Sequence, residues 1–329
     1  MKGKQALPSK DTATKLVVSF LKTNKKKPKE SLILKLQKPV FRGVATALVT
    51  PMKDGGKIDF ETLGRLIDWQ INSGIDGLVI AGTTGEGSTL SDEEHREVLK
   101  ASMEFAGGRV PMIAGTGSND AAYAIDLSRY ACKIGYDALL LVTPYYNKAT
   151  QGGLVATFRA ITDATDKPVI LYNVPSRTGV NIDPATYNAL ADHERIVAAK
   201  EASGSLSQLT ESFALAGDRL DIYSGNDDQI FPVLAMGGTG VISVLSNILP
   251  KETCEICRAY FAGDLARSRK LQYDLLPLIH ALFSEVNPIP VKAAMAKIGF
   301  GENVLRLPLT PMEEAHKKVL FDRMSEWGL

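Results

Sequence analysis

The sequence predicts an α/β fold, a (β/α)8 TIM barrel with an appended C-terminal helical domain, and three observations predict it. Eight apolar runs succeed one another from Phe41 onward. They lack the in–out alternation of a half-exposed sheet, which suits parallel strands buried on both faces. Spacings of about 20 to 35 residues leave room for a crossover helix each time, and eight such repeats favour a closed barrel over a doubly wound sheet.

The runs begin near Gly43 (GVATALV), Gly77 (GLVIAG), Val110 (VPMIAGTG) and Asp137 (DALLLVTP), then near Pro168 (PVILYN), Ile196 (IVAAKE), Asp221 (DIYSGN) and Gly240 (GVISV). Between them stand helix signals. Asp59 is placed to cap a helix whose apolar face is Leu63, Leu66, Ile67 and Ile71, Ser91-x-x-Glu94 reads as a capping box, and Asp183-Pro184 puts proline at a first helical position. After the eighth run, Leu271, Leu275, Leu278, Ile279 and Leu282 keep helical spacing. A minimal barrel needs one more helix there, so the remainder reads as an addition. The expected organisation is a basic, mobile extension over 1–38, a catalytic barrel over 39–263 and a C-terminal helical domain over 264–329.

A chain of 329 residues with 45% hydrophobic and 23% charged residues has the composition of a soluble globular enzyme. Its net charge of +1 hides an asymmetry. Residues 1–38 carry eleven lysines against Asp11 and Glu30, net +9, leaving 27 basic and 35 acidic groups, net −8, in the rest. An acidic body gives no reason to expect nucleic acid as a partner. The extension leaves three readings open: an organelle leader, such as a plastid one, although it lacks arginine; a contact with an anionic surface; or a different start of the chain.

No apolar stretch approaches the length of about 20 residues that spans a membrane. The three cysteines fit a reducing compartment, and a cytoplasmic location is expected. Cys254 and Cys257 form a C-x-x-C inside a helical pattern with no second Cys/His pair, so two buried helix residues explain them better than a metal or redox site. The four histidines have no ligand spacing. No metal and no cofactor is implied.

In a barrel the site gathers at the C-terminal ends of the strands. Those ends read Thr46 and Thr50-Pro51, then Gly82-Thr83-Thr84-Gly85-Glu86, Gly115-Thr116-Gly117, and Thr143-Pro144-Tyr145-Tyr146-Asn147. The second half reads Tyr172-Asn173-Val174-Pro175-Ser176-Arg177, Lys200-Glu201, Ser224-Gly225-Asn226-Asp227 and Ile242-Ser243. Lys200, closing the apolar run Ile196–Ala199, is the most informative residue. A buried strand-end amine is pushed toward its uncharged, nucleophilic form because water no longer solvates the ammonium. One amine among phenols and hydroxyls, beside a guanidinium, suits carbonyl chemistry through a Schiff base with a keto acid, with hydroxyls carrying protons. Gly-Thr-Thr-Gly lacks the Lys-Ser/Thr ending of a phosphate-binding P-loop. Its N–H groups and threonines can equally hold a carboxylate.

Five motifs, GTTGE (82–86), TPYYNK (143–148), YNVPSRTG (172–179), KEASG (200–204) and GGTGVISV (237–244), resemble the dihydrodipicolinate synthase family, within the pyruvate-dependent class I aldolases. The resemblance covers residues 40–329 in order. N-acetylneuraminate lyases and keto-deoxy sugar acid aldolases share the barrel, a GTTGE-like loop, the tyrosine and the lysine, and remain the alternative. Arg177 and the pair Tyr145-Tyr146 tilt the choice toward the synthase.

Carried over residue by residue, the resemblance implies that Lys200 forms an imine with pyruvate and that Tyr172 gives and takes protons beside it. Thr83 and Tyr146 would complete a hydroxyl relay, Tyr146 crossing from a neighbouring subunit of a homotetramer built as a dimer of dimers. Thr84 would hold the pyruvate carboxylate, Gly225 and Ile242 would line the pocket, and Arg177 would take the carboxylate of L-aspartate 4-semialdehyde. The implied product is 4-hydroxy-tetrahydrodipicolinate, on the route to diaminopimelate and lysine. His95, Asn119 and Tyr145 match positions used by lysine-inhibited relatives. Tyr123 stands in place of an acidic group, Asp92 in place of a histidine and Gly87 in place of a serine, so weak or absent inhibition by lysine is expected.

Overall fold

A computed structural model describes residues Lys38–Leu329, and eight parallel strands close on themselves at its centre. They are β1 (Gly43–Ala47), β2 (Gly77–Ile80), β3 (Met112–Gly115), β4 (Ala138–Val142), β5 (Val169–Asn173), β6 (Ile196–Glu201), β7 (Asp221–Ser224) and β8 (Gly240–Ser243). Each pairs with its sequence neighbour, and β8 returns to β1 with Ala45 opposite Ile242. Every apolar run singled out in the sequence becomes one of these strands.

Eight helices follow the strands in turn: α1 (Phe60–Asn72), α2 (Asp92–Ala106), α3 (Ala121–Lys133), α4 (Gln151–Asp163), α5 (Pro184–Leu190), α6 (Leu206–Ala216), α7 (Ile230–Ala235) and α8 (Pro250–Phe261). Their starts follow local chemistry. The Asp59 side chain accepts from the Thr62 N–H, Ser91 and Glu94 form the reciprocal capping box, and Pro184 opens α5. Cys254 and Cys257 are buried free thiols within α8, as their helical spacing requires.

Strand alternation sorts the core into two shells. Phe41, Ala45, Val79, Ile113, Ile170, Tyr172, Ala198, Tyr223 and Ile242 fill the lumen, while Val44, Leu78, Leu139, Leu171 and Ala199 pack outward with the helices. At the N-terminal end of the lumen Phe41 stacks on Tyr223, with ring centroids 4.2 Å apart. The Tyr223 hydroxyl donates to the Phe41 carbonyl at 2.7 Å.

Beyond the barrel come α9 (Leu265–Leu282), α10 (Ile289–Lys297) and α11 (Glu314–Ser325), within the same compact unit, Lys38–Leu329. Among the described residues no helix is long and apolar enough to cross a membrane. The expected basic extension over 1–38 lies outside the described residues except for Lys38.

Candidate active site

Lys200 enters the lumen because β6 alternates. Ala198 and Ala202 join the inner shell, while Ala199 and Glu201 face the helices. Lys200 is only 5% exposed. Its neighbour Glu201 is buried on the opposite face and satisfied there, accepting from the Tyr187 hydroxyl at 2.7 Å, the Asn173 amide at 3.0 Å and the Ser203 N–H at 2.7 Å. The adjacent carboxylate is therefore turned away from the amine, which neither snorkels to the rim nor pairs with Glu201.

Across the sheet, Tyr172 is the register partner of Lys200, and the lysine Nζ lies 4.3 Å from the centre of the phenol ring. On the other side Gly225 follows the lysine stem closely. A Cβ at Gly225 would come within 3.2 Å of Lys200 Cγ and 2.7 Å of the Ala202 Cβ. Ile242 is fully buried in the lumen on β8. Asp227, just past β7, is a buried carboxyl whose Oδ2 accepts from the Val244 and Leu245 N–H groups at 3.0 and 2.9 Å. Burial pushes its pKa up, and the Ser243 side chain, those two N–H groups and the Lys200 charge pull it back.

The loop after β2 is held in an unusual backbone shape, with φ of 54° at Ala81 and 52° at Glu86. Several contacts fix it. The Thr50 hydroxyl donates to the Gly85 carbonyl at 2.7 Å, and the Glu86 carboxylate meets the Lys292 ammonium and the Arg306 N–H. Lys292, on α10, is buried, and that burial lowers its pKa, opposed by Glu86. Within this loop Thr84 is buried and its Oγ1 accepts from the Asn287 side-chain amide at 3.0 Å. Arg177, exposed on the helical turn Pro175–Thr178 after β5, donates from Nη2 to the Asn287 carbonyl at 3.0 Å.

A cavity of about 520 Å³ opens beside these groups. Thr83, Tyr172, Val174 and Arg177 line it together with Ser88, Asp92, His95, Tyr123 and Tyr145. Lys200 is outside the lining, one side chain away against the Tyr172 ring. Asp92 accepts from Arg96 Nε at 2.9 Å, and its pKa is lowered chiefly by that arginine, with a smaller contribution from the Tyr123 hydroxyl. His95 sits 3.0 Å from the Gly115 carbonyl through Nε2, and burial lowers its pKa.

The chain thus brings Lys200, Tyr172, Thr83, Thr84, Arg177, Gly225 and Ile242 to one end of the barrel. Tyr146 is different. It is 91% exposed, with φ of 71°, and it does not line the cavity of its own chain. The strand-end hydroxyls were expected to surround one cavity, and three of them are corrected. Thr46 bonds Gln70 and Ser246, Thr116 bonds Ser128 and Thr143 bonds Thr178, because their places in the strand alternation turn them toward helices and loops. Asn287 and Lys292 carry no role in the sequence reading, although Asn287-Pro288-Ile289-Pro290-Val291-Lys292 supplies two buried polar side chains in an otherwise apolar stretch.

A closed parallel barrel whose mouth holds a buried lysine against a tyrosine is the frame within which the relatives fall. Residues 40–326 match the model of the dihydrodipicolinate synthetase family. A 4-hydroxy-tetrahydrodipicolinate synthase of Lachnoclostridium phytofermentans is 53% identical over 291 residues, covering 88% of this chain and 99% of that one. One of Clostridium perfringens is 51% identical over 290 residues, with 88% and 99% covered. The crystal structure of the dihydrodipicolinate synthase of Thermotoga maritima superposes with a TM-score of 0.86 at 43% identity, covering 88% of this chain and 99% of that one. The chain belongs to the dihydrodipicolinate synthetase family.

Proposed function

We propose that the chain is a 4-hydroxy-tetrahydrodipicolinate synthase, a lyase of lysine and diaminopimelate biosynthesis that condenses pyruvate with L-aspartate 4-semialdehyde. The observation that carries the reading is the buried Lys200 Nζ, 4.3 Å from the centre of the Tyr172 ring that lines the cavity.

In this reading the uncharged Lys200 amine adds to the keto carbon of pyruvate, and loss of water leaves an imine. The iminium withdraws electrons from the methyl carbon, which gives up a proton and attacks the aldehyde of the second substrate. The amine of that substrate then attacks the imine carbon, closing the ring and freeing Lys200. Tyr172, with Thr83 and the Tyr146 of a neighbouring subunit, passes the protons these steps require. Thr84 holds the pyruvate carboxylate. Gly225 and Ile242 shape the space around the adduct, and Arg177 takes the carboxylate of the semialdehyde with a planar fork of donors. The reading requires at least a dimer in which Tyr146 crosses an interface, and its assembly is a homotetramer, a dimer of such dimers.

The test is to incubate the protein with pyruvate, reduce with borohydride and locate the added mass. An adduct on Lys200, together with turnover of aspartate semialdehyde in a coupled assay, is the expected result. An adduct elsewhere, or none, removes the mechanism. An adduct with turnover only of sugar-acid substrates transfers the chain to the lyase and aldolase branch.

A further inference from the structure

We propose that Asn287 is the positioning residue that sets both carboxylate-holding groups of the site at once. The proposal rests on the substrate roles given above to Thr84 and Arg177. Asn287 lies in the connection between α9 and α10 and is 5% exposed. Its side chain grips one group and its backbone the other. The Nδ2 amide reaches Thr84 Oγ1 at 3.0 Å, and its carbonyl receives Arg177 Nη2 at 3.0 Å.

The direction of the first bond decides what Thr84 can do. A hydroxyl has one proton and two lone pairs. With a lone pair occupied by the Asn287 N–H, the Thr84 proton is left for another acceptor, which makes the threonine a donor toward an anion. The second bond acts on Arg177. An exposed arginine carries large rotamer freedom, and fixing one Nη on a carbonyl leaves the rest of the fork preset for a carboxylate. The same stretch anchors the loop again five residues on, where Lys292 meets Glu86. Asn287 therefore stands on a segment already fixed to the loop it orients, and its Oδ1 is buried with no partner among the described residues. A side chain kept for packing alone would leave no reason for a buried amide at this point.

Two substitutions test the role. Asn287→Ala removes the N–H that turns Thr84 into a donor. Asn287→Asp keeps the volume but presents only acceptors, so it draws the Thr84 proton to itself and adds negative charge beside two anion sites. The readouts are the pyruvate concentration giving half-maximal borohydride-trapped adduct and the KM for aspartate semialdehyde. Asn287→Ala should raise the half-saturating pyruvate concentration about tenfold, the worth of one such hydrogen bond, and the KM for aspartate semialdehyde less, because the backbone carbonyl that holds Arg177 survives the substitution; Asn287→Asp should raise the pyruvate value further, with kcat at saturation changed about threefold or less. If Asn287→Ala loses its melting transition, the near-isosteric Asn287→Asp decides. The proposal is overturned if the folded variants titrate within about twofold of the wild type, or if the loss falls in kcat alone. Absence of any adduct in the wild type would instead sink the proposed function, so the two failures are told apart.

Discussion

Glu86 and Lys292 face each other as a buried ion pair, with Oε1 2.5 Å from Nζ, joining the loop after β2 to helix α10. Both side chains are nearly sealed from water, so removal of either leaves an uncompensated charge in the interior. Lys292→Met should lower the unfolding free energy by about 3–5 kcal/mol in urea titrations. The double variant Glu86→Gln/Lys292→Met should lose less than the two single losses added together, since it strands no charge. Additive losses would show that the pair is not coupled.

A second ionic contact gives a pH signature. Arg306 grips Glu94 with two nitrogens, at 2.7 and 2.6 Å, and these bonds hold the glutamate pKa down from 4.5 to about 2. A carboxylate whose folded pKa lies below its unfolded one stabilises the fold above the unfolded value and loses that contribution as pH falls through the folded one. Glu94→Gln should therefore be less stable than the wild type at pH 6, and the gap should shrink steadily between about pH 4.5 and pH 2. A gap independent of pH would show that the carboxylate charge contributes nothing.

The barrel was legible because a parallel strand buried on both faces writes itself as an unbroken apolar run, as in Val169–Asn173 and Ile196–Glu201. Lys200 and Tyr172 were legible because each ends such a run. What the runs did not disclose was the direction of the short polar side chains: Thr46 and Thr143 end strands as Lys200 nearly does, yet a shift of one residue turns them outward. Asn287 was harder still. It reaches Thr84 from more than 200 positions away, and no local periodicity reports a contact made by a loop between two helices.

Gly225 limits the room beside the Lys200 stem. The Cβ of alanine there would press on Lys200 Cγ and on Ala202, at 3.2 and 2.7 Å. Gly225→Ala should cost about 1–3 kcal/mol of stability from overpacking. Displacement of the lysine stem should lower turnover by about 10²-fold, with the adduct still forming slowly under borohydride. Wild-type turnover in a folded Gly225→Ala protein would show that the close approach has no catalytic consequence.

Tyr172→Phe keeps the ring beside the Lys200 Nζ and deletes only the hydroxyl. Trapped adduct with pyruvate should persist, while turnover with the second substrate should fall by about 10²-fold or more, the usual worth of a positioned proton carrier. Equal turnover in Tyr172→Phe would assign the tyrosine to packing.

In the cavity lining, Asp92 already accepts a hydrogen bond from Arg96. The ammonium of a free lysine would meet a carboxylate whose charge Arg96 already offsets. Turnover should therefore hold at low millimolar lysine, and Tyr123→Glu, which adds a carboxylate to the cavity lining, should make the enzyme more sensitive. Strong inhibition of the wild type would contradict this.

Tyr146 is a non-glycine residue at φ 71° whose ring is 91% exposed on the isolated chain. Left-handed backbone at such a residue costs roughly 1–2 kcal/mol, and an exposed phenol recovers none of it. A neighbouring subunit that takes up the ring would account for both features. That arrangement has a consequence a single chain cannot imitate. On that arrangement a Lys200→Ala subunit and a Tyr146→Phe subunit should each be impaired alone, while in a mixed dimer one site would combine the intact lysine of one with the intact tyrosine of the other. Unfolding the two variants together and refolding them should restore about a quarter of wild-type activity, because half of randomly paired dimers are mixed and each mixed dimer has one complete site. A mixture no more active than its separate components would place Tyr146 outside the neighbouring site.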